Sequence, residues 1–293
     1  GQRLGNHLAA FICLVLRGTG VLQRALGRVG LRPWRATMHV ESFRAEGQMT
    51  VRAPERTQPD AFAIPQIDLS GEAERQIVVD TPSGPLSAHT RIQEGRVVSV
   101  AIDMVPSFVF DTDRELAIEG FGKVPVDLVC VGGFFAMVSA SALGIELVPA
   151  NRPKLIPLGM AVIEAANKAF RVYHPNRPEV NTVDVVEFYD EDPRTETARG
   201  AVIYGESHMD RSPCGTGTTA KMTLLHHRGK LNPGEIYKNA GPLGTVFEGQ
   251  IVQTLPIGEF QGIVGQIRGT AQVTGYHQFV LDDLDPFPEG FLL

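Results

Sequence analysis

The segment 210–221 constrains this chain more than any other, because it places a thiol where a helix is predicted to start. It reads Asp-Arg-Ser-Pro-Cys-Gly-Thr-Gly-Thr-Thr-Ala-Lys, with Cys214 just before a helix predicted over 216–227. The first N–H groups of a helix have no intrahelical partner and the dipole is positive there, so the pKa of Cys214 is expected to be lowered. The small residues after Cys214 leave room for a ligand carboxylate to reach the same N–H groups. The segment therefore predicts an acid/base thiol beside an anion-binding helix start.

The hydropathy pattern predicts more strands than helices. Apolar and polar residues alternate over 76–104, with turn residues at 82–84 and 94–95, which is typical of a hairpin. Apolar residues at helical spacing predict a second helix over 157–169. Further strands are predicted over 124–138, 182–189, 199–204, 244–255 and 258–281, and the acidic segment 189–199 is predicted to be an exposed loop. Strands interleaved with helices in this way indicate an α+β fold.

Composition limits the classes of protein to which the chain can belong. Its 293 residues suit one large domain or two ordinary ones, and 43% of them are hydrophobic, so a core can form. The net charge of -6 argues against a nucleic-acid surface, and the apolar run around Cys13 is too short to cross a bilayer. An odd count of three cysteines favours reduced thiols and an intracellular setting. Cys and His residues lack metal-ligand spacing, and the adjacent His226 and His227 diverge on a helix, so no metal site is expected.

The segment around Cys214 resembles the proline racemase family, whose members carry Asp-Arg-Ser-Pro-Cys-Gly-Thr-Gly ahead of a helix. Upstream, the resemblance rests on stretches at 80–84, 105–108, 126–136 and 182–184. Downstream, it continues through stretches at 229–235, 244–249, 274–279 and 285–291. Together these stretches carry the resemblance from residue 75 to the C terminus.

The resemblance implies an isomerase of amino-acid metabolism that racemises or epimerises proline or a hydroxyproline without a cofactor. In this family two cysteines flank the alpha carbon of the substrate, and one thiolate removes a proton while the other thiol delivers one to the opposite face. Cys214 would be one of these catalytic groups. Asp210 would bind the ring ammonium, and the backbone N–H groups of Gly215 and Thr216 would bind the carboxylate. Tyr204 would pack against the pyrrolidine ring.

Several of these residues also have a structural explanation. Asp210 stands just before a helix, where Asp commonly caps the first turn. Tyr204 lies in a predicted strand, and Tyr is a favoured strand residue. His208 either alters specificity or faces solvent. Gly132 and Gly133 are expected to allow close backbone packing rather than to contact a ligand.

The resemblance also implies the fold of diaminopimelate epimerase, in which two pseudo-symmetric domains each wrap a sheet around a central helix. Residues 120–275 would form the C-terminal domain, with the helix 216–227 at its centre. Residues 75–119 and 276–293 would be a remnant of the N-terminal domain. That domain is expected to be incomplete, because residues 1–74 do not resemble the family.

The chain departs from the family at the first catalytic cysteine. A Cys-Gly-His-Gly type of motif should stand a few tens of residues before Asp80, and the sequence does not contain it. Cys13 lies in an apolar run and Cys130 in a predicted buried strand, so neither is expected to replace that thiol. Racemisation is therefore expected to be impaired. A trans-3-hydroxyproline dehydratase and a catalytically inactive binding protein of the same fold are the alternatives.

Residues 1–74 leave several interpretations open. The first 40 residues hold six arginines and no Asp or Glu, which fits a mitochondrial transit peptide except that they also lack serine. A gene-model artefact or a truncation scar is the alternative. The protein is expected to be cytoplasmic, or mitochondrial if residues 1–40 are a transit segment. Its expected partners are a small-molecule substrate and a second copy in a homodimer, with no nucleic acid and no membrane.

Overall fold

The computed structural model describes residues 39–43, 48–52, 73–81, 84–94, 96–190, 196–205 and 207–270, together with Leu284 and Pro286. The strands within these residues are β1 His39–Phe43, β2 Gln48–Arg52, β3 Ala73–Thr81, β4 Gly84–Gln93, β5 Arg96–Asp103, β6 Ser107–Ile118, β7 Gly122–Val131, β8 Gly133–Ser139, β9 Val183–Asp190, β10 Thr197–Tyr204, β11 His208–Met209, β12 Tyr237–Ala240, β13 Val246–Ile257 and β14 Phe260–Gly269. The helices are α1 Arg152–Ala169 and α2 Gly215–His227, with single 3-10 turns at Ser141–Leu143 and Pro149–Asn151. Neither helix in this part of the chain is long and apolar enough to cross a bilayer.

Eight of the strands close into a ring. Neighbours pair in the order β6, β7, β8, β9, β10, β12, β13, β14, and β14 returns to β6 by pairing Gly262 with Phe108 and Ile263 with Ser107. Farther along, β14 pairs with β5, which continues the sheet through β4, β3 and β2 to β1. The closed sheet and its extension therefore separate at the connection between β5 and β6, residues 104–106.

Helix α2 lies inside the closed sheet. Every residue from Gly215 to Leu225 is buried, and the helix contacts β6, β7, β13 and β14. A helix buried all round needs no apolar stripe, which explains why its Thr-rich sequence carries none. Thr219 Oγ1 donates to the Gly215 carbonyl at 2.8 Å and Thr223 Oγ1 to the Thr219 carbonyl at 2.7 Å, so these hydroxyl groups are satisfied. The chain leaves the helix through Gly229, whose φ of 67° suits glycine, and the predicted helix end is confirmed.

Helix α1 packs outside the same strands, against β6, β9 and β10. Its residues Leu155 and Leu158 are buried in a core that includes alternate residues of β7, among them Cys130. The residues between those positions on β7, such as Val129 and Val131, pack in the core around α2 instead. Strand β7 is therefore covered on both faces, which is why its sequence is a nearly continuous apolar run.

Most of the predicted elements are confirmed, and the fold is α+β as expected. Strands β3 to β5 account for the alternating region 76–104. The predicted strand 124–138 is instead two strands, because Gly132 with φ 69° reverses the chain between β7 and β8. Helix α1 begins at Arg152 rather than at residue 157, with a proline in its first turn. Strands β1, β2, β6, β11 and β12 were not predicted.

Two sequence predictions fall partly outside the described residues. Strand β14 ends at Gly269, whereas the strand was predicted to reach residue 281. The predicted loop 189–199 includes residues 191–195, which the structure does not describe.

Candidate active site

The connection between β10 and α2 carries the candidate site. After β10 the chain turns back through Gly205 and Ser207, both with positive φ, so that β11 pairs with the end of β10. The Asp210 N–H then donates to the Val202 carbonyl at 2.9 Å. These hydrogen bonds hold Asp210 against β10, and the residues that follow it lead into α2.

Hydrogen bonds within the connection fix the residues before α2. The Ser212 N–H donates to Asp210 Oδ1 at 2.8 Å, and the Cys214 N–H donates to Ser212 Oγ at 3.0 Å. The side-chain amide of Asn239, on β12, donates to the Pro213 carbonyl at 3.2 Å. The loop is thus tied both to itself and to a neighbouring strand.

The backbone of Gly241 packs closely against the backbone of the same loop, at Ser212 and Pro213. Gly241 follows β12, and a Cβ there would come within 2.6 Å of the Ser212 carbonyl carbon and 2.7 Å of the Pro213 nitrogen. Both contacts are with backbone atoms, which cannot rotate away as a side chain can. Only glycine fits at this position without displacing the loop.

Cys214 is the N-cap residue of α2, and two groups of the first turn lie within hydrogen-bond distance of its sulphur. The Gly217 N–H donates to Sγ at 3.3 Å, and Thr216 Oγ1 lies 3.4 Å from Sγ. The backbone of Cys214 has φ 58°, a conformation that residues other than glycine seldom adopt. Such strain costs about 1–3 kcal/mol and is concentrated at functional sites. The cysteine is completely buried.

The structure corrects the predicted pKa of Cys214. Burial raises the pKa of the thiol well above its usual value, and the carboxyl groups of Asp210 and Glu187 raise it further. The hydrogen bonds from Thr216 and Gly217 act in the opposite direction. The prediction of a lowered pKa is therefore wrong, because desolvation of the sulphur outweighs the donors of the helix start.

Asp210 presents an unpaired acceptor beside the thiol. Among the described residues its buried Oδ2 has no hydrogen-bond partner, while Oδ1 accepts the Ser212 N–H. Burial raises the pKa of the Asp210 carboxyl group, although hydrogen bonds from Ser212 lower it. Since Cys214 occupies the N-cap position, Asp210 does not cap α2. The free Oδ2 is suited to a cationic group of a ligand.

Gly215 and Thr216 are the first two residues of α2, and both are buried. The Thr218 N–H donates to the Cys214 carbonyl at 2.8 Å, which is the first hydrogen bond of the helix. The N–H groups of Gly215 and Thr216 precede it and have no acceptor within the helix. The site therefore combines two helix-start donors with the thiol and the Asp210 carboxylate.

Tyr204 lies at the end of β10 and is half-buried. Its ring is stacked on that of His208, with ring centres 5.8 Å apart, and His208 itself is exposed to solvent. The strand position of Tyr204 agrees with its structural explanation, and its ring lies beside the β10–β11 turn.

The other cysteines and histidines lie elsewhere. Cys130 is buried in the core beneath α1, where burial raises its pKa, and the predicted buried strand is confirmed. Cys13 lies outside the described residues. His226 Nδ1 is 2.9 Å from the Leu231 carbonyl at the end of α2, and His227 is exposed. Within the described part of the chain, no three His, Cys, Asp or Glu side chains form a group able to hold a metal ion.

Sequence reasoning missed two charged side chains inside the closed sheet. Glu187 of β9 is completely buried, and neither of its oxygens has a hydrogen-bond partner in the described residues. Burial raises the pKa of Glu187 to about 8, although Lys221 of α2 lowers it. The Lys221 Nζ lies 3.3 Å from the centre of the Tyr189 ring. The signal in the sequence is a glutamate at the inward-facing register of β9, between Val185 and Tyr189.

Comparisons with known proteins agree with the resemblance seen in the sequence. A family model for proline racemase matches residues 66–292. The chain is 38% identical to the proline racemase of Clostridioides difficile over 218 residues, which are 74% of this chain and 65% of that protein. It is 36% identical to the 4-hydroxyproline 2-epimerase of Streptosporangium roseum over 217 residues, again 74% of this chain and 65% of the relative.

A solved structure is similar in fold. The hydroxyproline epimerase from Agrobacterium vitis, with bound trans-4-OH-L-proline, superposes with a TM-score of 0.71 at 33% identity. The similarity covers 75% of this chain and 63% of that one. The chain therefore spans about 65% of the length of the curated relatives that it matches.

Proposed function

The chain belongs to the proline racemase family, and from that premise we propose that it transfers protons at the alpha carbon of proline or a hydroxyproline without a cofactor. Cys214 is the acid/base group. Asp210 binds the ring ammonium, and the N–H groups of Gly215 and Thr216 bind the carboxylate. The relatives are named as a racemase and an epimerase, so the expected reaction is racemisation or epimerisation.

The observation that carries the proposal is the unpaired Oδ2 of Asp210 next to the Cys214 thiol. A buried carboxylate oxygen without a partner is costly unless a ligand supplies the missing donor. A bound ammonium would also offset the negative charge of Asp210, which opposes ionisation of Cys214. Substrate binding would thus favour the thiolate at the moment when the alpha carbon is within reach.

The remaining groups fit the two ends of a zwitterion. The helix start supplies N–H donors and a positive dipole for the carboxylate, while Asp210 supplies negative charge for the ammonium. Both lie beside the same sulphur. In the proposal the half-buried Tyr204 contacts the pyrrolidine ring. An amino acid bound in this way would present its alpha hydrogen to Cys214.

Inversion of the alpha carbon also needs an acid on the opposite face. Cys130 is unsuited to this role because it is buried beneath α1, on the outer face of β7. We therefore expect inversion by this chain to be impaired, while exchange of the alpha proton on the Cys214 side is retained. A general acid/base contributes about 10²–10⁴-fold to a rate, so inversion should lag behind exchange by that order.

Incubation in deuterated water tests the proposal directly. The substrates are both enantiomers of proline and the cis and trans hydroxyprolines. Mass spectrometry would measure incorporation of deuterium at the alpha carbon, and chiral chromatography would measure inversion. We expect deuterium in one enantiomer well before inversion. Cys214→Ala should abolish the exchange, and the matched control Cys130→Ala should retain it.

Other outcomes select other functions. Binding of proline without deuterium incorporation would indicate a catalytically inactive binding protein. Loss of water from trans-3-hydroxyproline would indicate the dehydratase. Neither binding nor exchange with any of these compounds would overturn the proposal.

We further propose that two pseudo-symmetric halves of the diaminopimelate-epimerase type underlie the fold. Helix α2 and the closed sheet form the C-terminal half, and β3 to β5 with residues 276–293 belong to an incomplete N-terminal half. The sequence placed the boundary at residues 119–120. Residues 104–106 fit the strand pairing better, because β6 pairs with β7 and β14 of the closed sheet.

A further inference from the structure

The carboxyl group of Glu187 packs against Gly217, the residue whose N–H donates to the sulphur of Cys214. A Cβ on Gly217 would stand 3.0 Å from Glu187 Oε2, and a Cβ on Gly200 would stand 2.7 Å from Oε1. These two glycines therefore leave the space that the carboxyl group occupies. Since the Gly217 N–H donates to Cys214 Sγ at 3.3 Å, the carboxyl group and the sulphur contact the same residue of α2.

The surroundings of Glu187 contain few charges. Both of its neighbours across β8 and β10 are apolar side chains, and the nearby strand β12 contributes an uncharged amide. Lys221 of α2 is the charged group that lowers the pKa of Glu187, and Glu187 in turn raises the pKa of Cys214 before the same helix. The groups around the carboxyl are Cys214 and Lys221 from α2, Tyr189 from β9, Met137 from β8, Val202 from β10 and Asn239 from β12.

Packing does not explain why residue 187 carries a carboxyl group. Well-packed apolar residues of similar volume can often replace buried ionic groups without loss of stability. Here the cost of burial is increased, because neither carboxyl oxygen has a hydrogen-bond partner among the described residues. What the position does provide is a titratable group behind the sulphur of Cys214.

We propose that Glu187 is a positioning residue for Cys214, whose carboxyl group sets the electrostatic potential at the sulphur and whose ionisation opposes that of the thiol. The inference rests on the proposed acid/base function of Cys214. While Glu187 is uncharged, burial and the charge of Asp210 oppose thiolate formation. Once the pH passes the pKa of Glu187, about 8, a second negative charge stands beside the sulphur. The two ionisations are therefore coupled.

Alkylation of Cys214 by iodoacetamide, followed by mass spectrometry of its peptide, measures the thiolate without any substrate. In Glu187→Gln the rate at about pH 6.5 should equal the wild-type rate, because both side chains are then uncharged. At about pH 9.5 the variant should react at least about threefold faster, because only the wild type carries the additional charge. Glu187→Asp should restore the wild-type profile.

Controls separate this effect from loosening of the fold. A structural effect would change the rate by the same factor at both pH values, and that result would overturn the proposal. The matched control Glu248→Gln, on the exposed surface of β13, should change neither rate.

Wild-type protein alone provides a second test if Glu187→Gln does not fold. The logarithm of its Cys214 rate should rise with pH, rise less steeply while Glu187 ionises, and then regain its slope, whereas that of Cys130 should rise with a constant slope. A constant slope for Cys214 would contradict the proposal. Because no substrate is used, failure of proline binding would not alter these results.

Discussion

Two effects of opposite sign compete at Cys214. The N–H groups at the start of α2 favour the thiolate, and complete burial of the sulphur disfavours it. In this chain burial has the larger influence, so the pKa of the thiol is raised. A lone charge on Asp210 adds to that rise. In the proposed function, ionisation of this thiol therefore depends on what binds to Asp210.

Asp210→Asn tests that dependence at a single residue. The amide keeps the shape and an acceptor for the Ser212 N–H, but removes the charge. Binding of proline should weaken by about 1.5–3 kcal/mol, the value of a hydrogen bond to a charged group. Pyrrole-2-carboxylate should be affected less, because its ring N–H is uncharged. Calorimetric titration of both ligands measures the difference.

The same substitution should leave the protein at least as stable. Burial raises the pKa of Asp210 above its unfolded value, so the folded state disfavours the charge, and stability is lost as pH rises through the folded pKa. At neutral pH the free energy of unfolding of the Asn variant should be unchanged or higher. An unchanged affinity for proline would instead assign Asp210 to holding the loop.

At the scale of elements, a pair of charges fastens the end of α2 to β7. Arg228 Nη2 donates to both carboxyl oxygens of Asp127, at 2.8 and 3.0 Å. The Asp127 side chain is only 7% exposed, whereas that of Arg228 is 29% exposed. Loss of the arginine therefore matters mainly through the carboxylate that remains buried.

Arg228→Met should lower the free energy of unfolding by about 1–3 kcal/mol, the cost of leaving a buried acceptor unsatisfied. Denaturation in urea measures this change. The double variant Arg228→Met, Asp127→Asn should recover part of the loss. The exposed pair of Lys123 with Glu115 is the comparison, and Lys123→Met should produce no measurable change. Equal effects at the two sites would refute the assignment.

Two of the strands missed from the sequence, β6 and β12, have a common physical reason. Strand β6 carries the charged run Asp111 to Glu115 on a bulged, largely exposed middle, so no alternating pattern marks it. Strand β12 has only four residues and is held in the sheet by pairing with β10 and β13. Pairing with distant strands, rather than local preference, defines both.

At the scale of the whole molecule, enclosure of α2 predicts a gradient of local stability. The helix is surrounded by the closed sheet, whereas α1 has one exposed face. Backbone amides of α2 should therefore exchange with solvent deuterium only through large-scale unfolding, and those of α1 should exchange by local opening as well. Peptide-level exchange measured by mass spectrometry compares the two helices in one experiment. Faster exchange in α2 would contradict the enclosed arrangement.

Local sequence patterns identified several of the elements and the family. Alternation marked β3 to β5, the Cys-Gly-Thr-Gly run marked the start of α2, and Gly229 marked its end. These are signals of short range, since each depends on neighbouring residues and on the backbone freedom of glycine. Residues 210–217 also carried the resemblance that the comparisons support.

The environment of the thiol, in contrast, follows from the tertiary structure. The pairing of β14 with β6 closes the sheet around α2, and that closure removes water from Cys214, Asp210 and Glu187. The direction of each pKa shift follows from this desolvation. Glu187 comes to the site from β9, some thirty residues before the cysteine in sequence. Burial and long-range contact depend on the whole chain, so no local pattern could have predicted them.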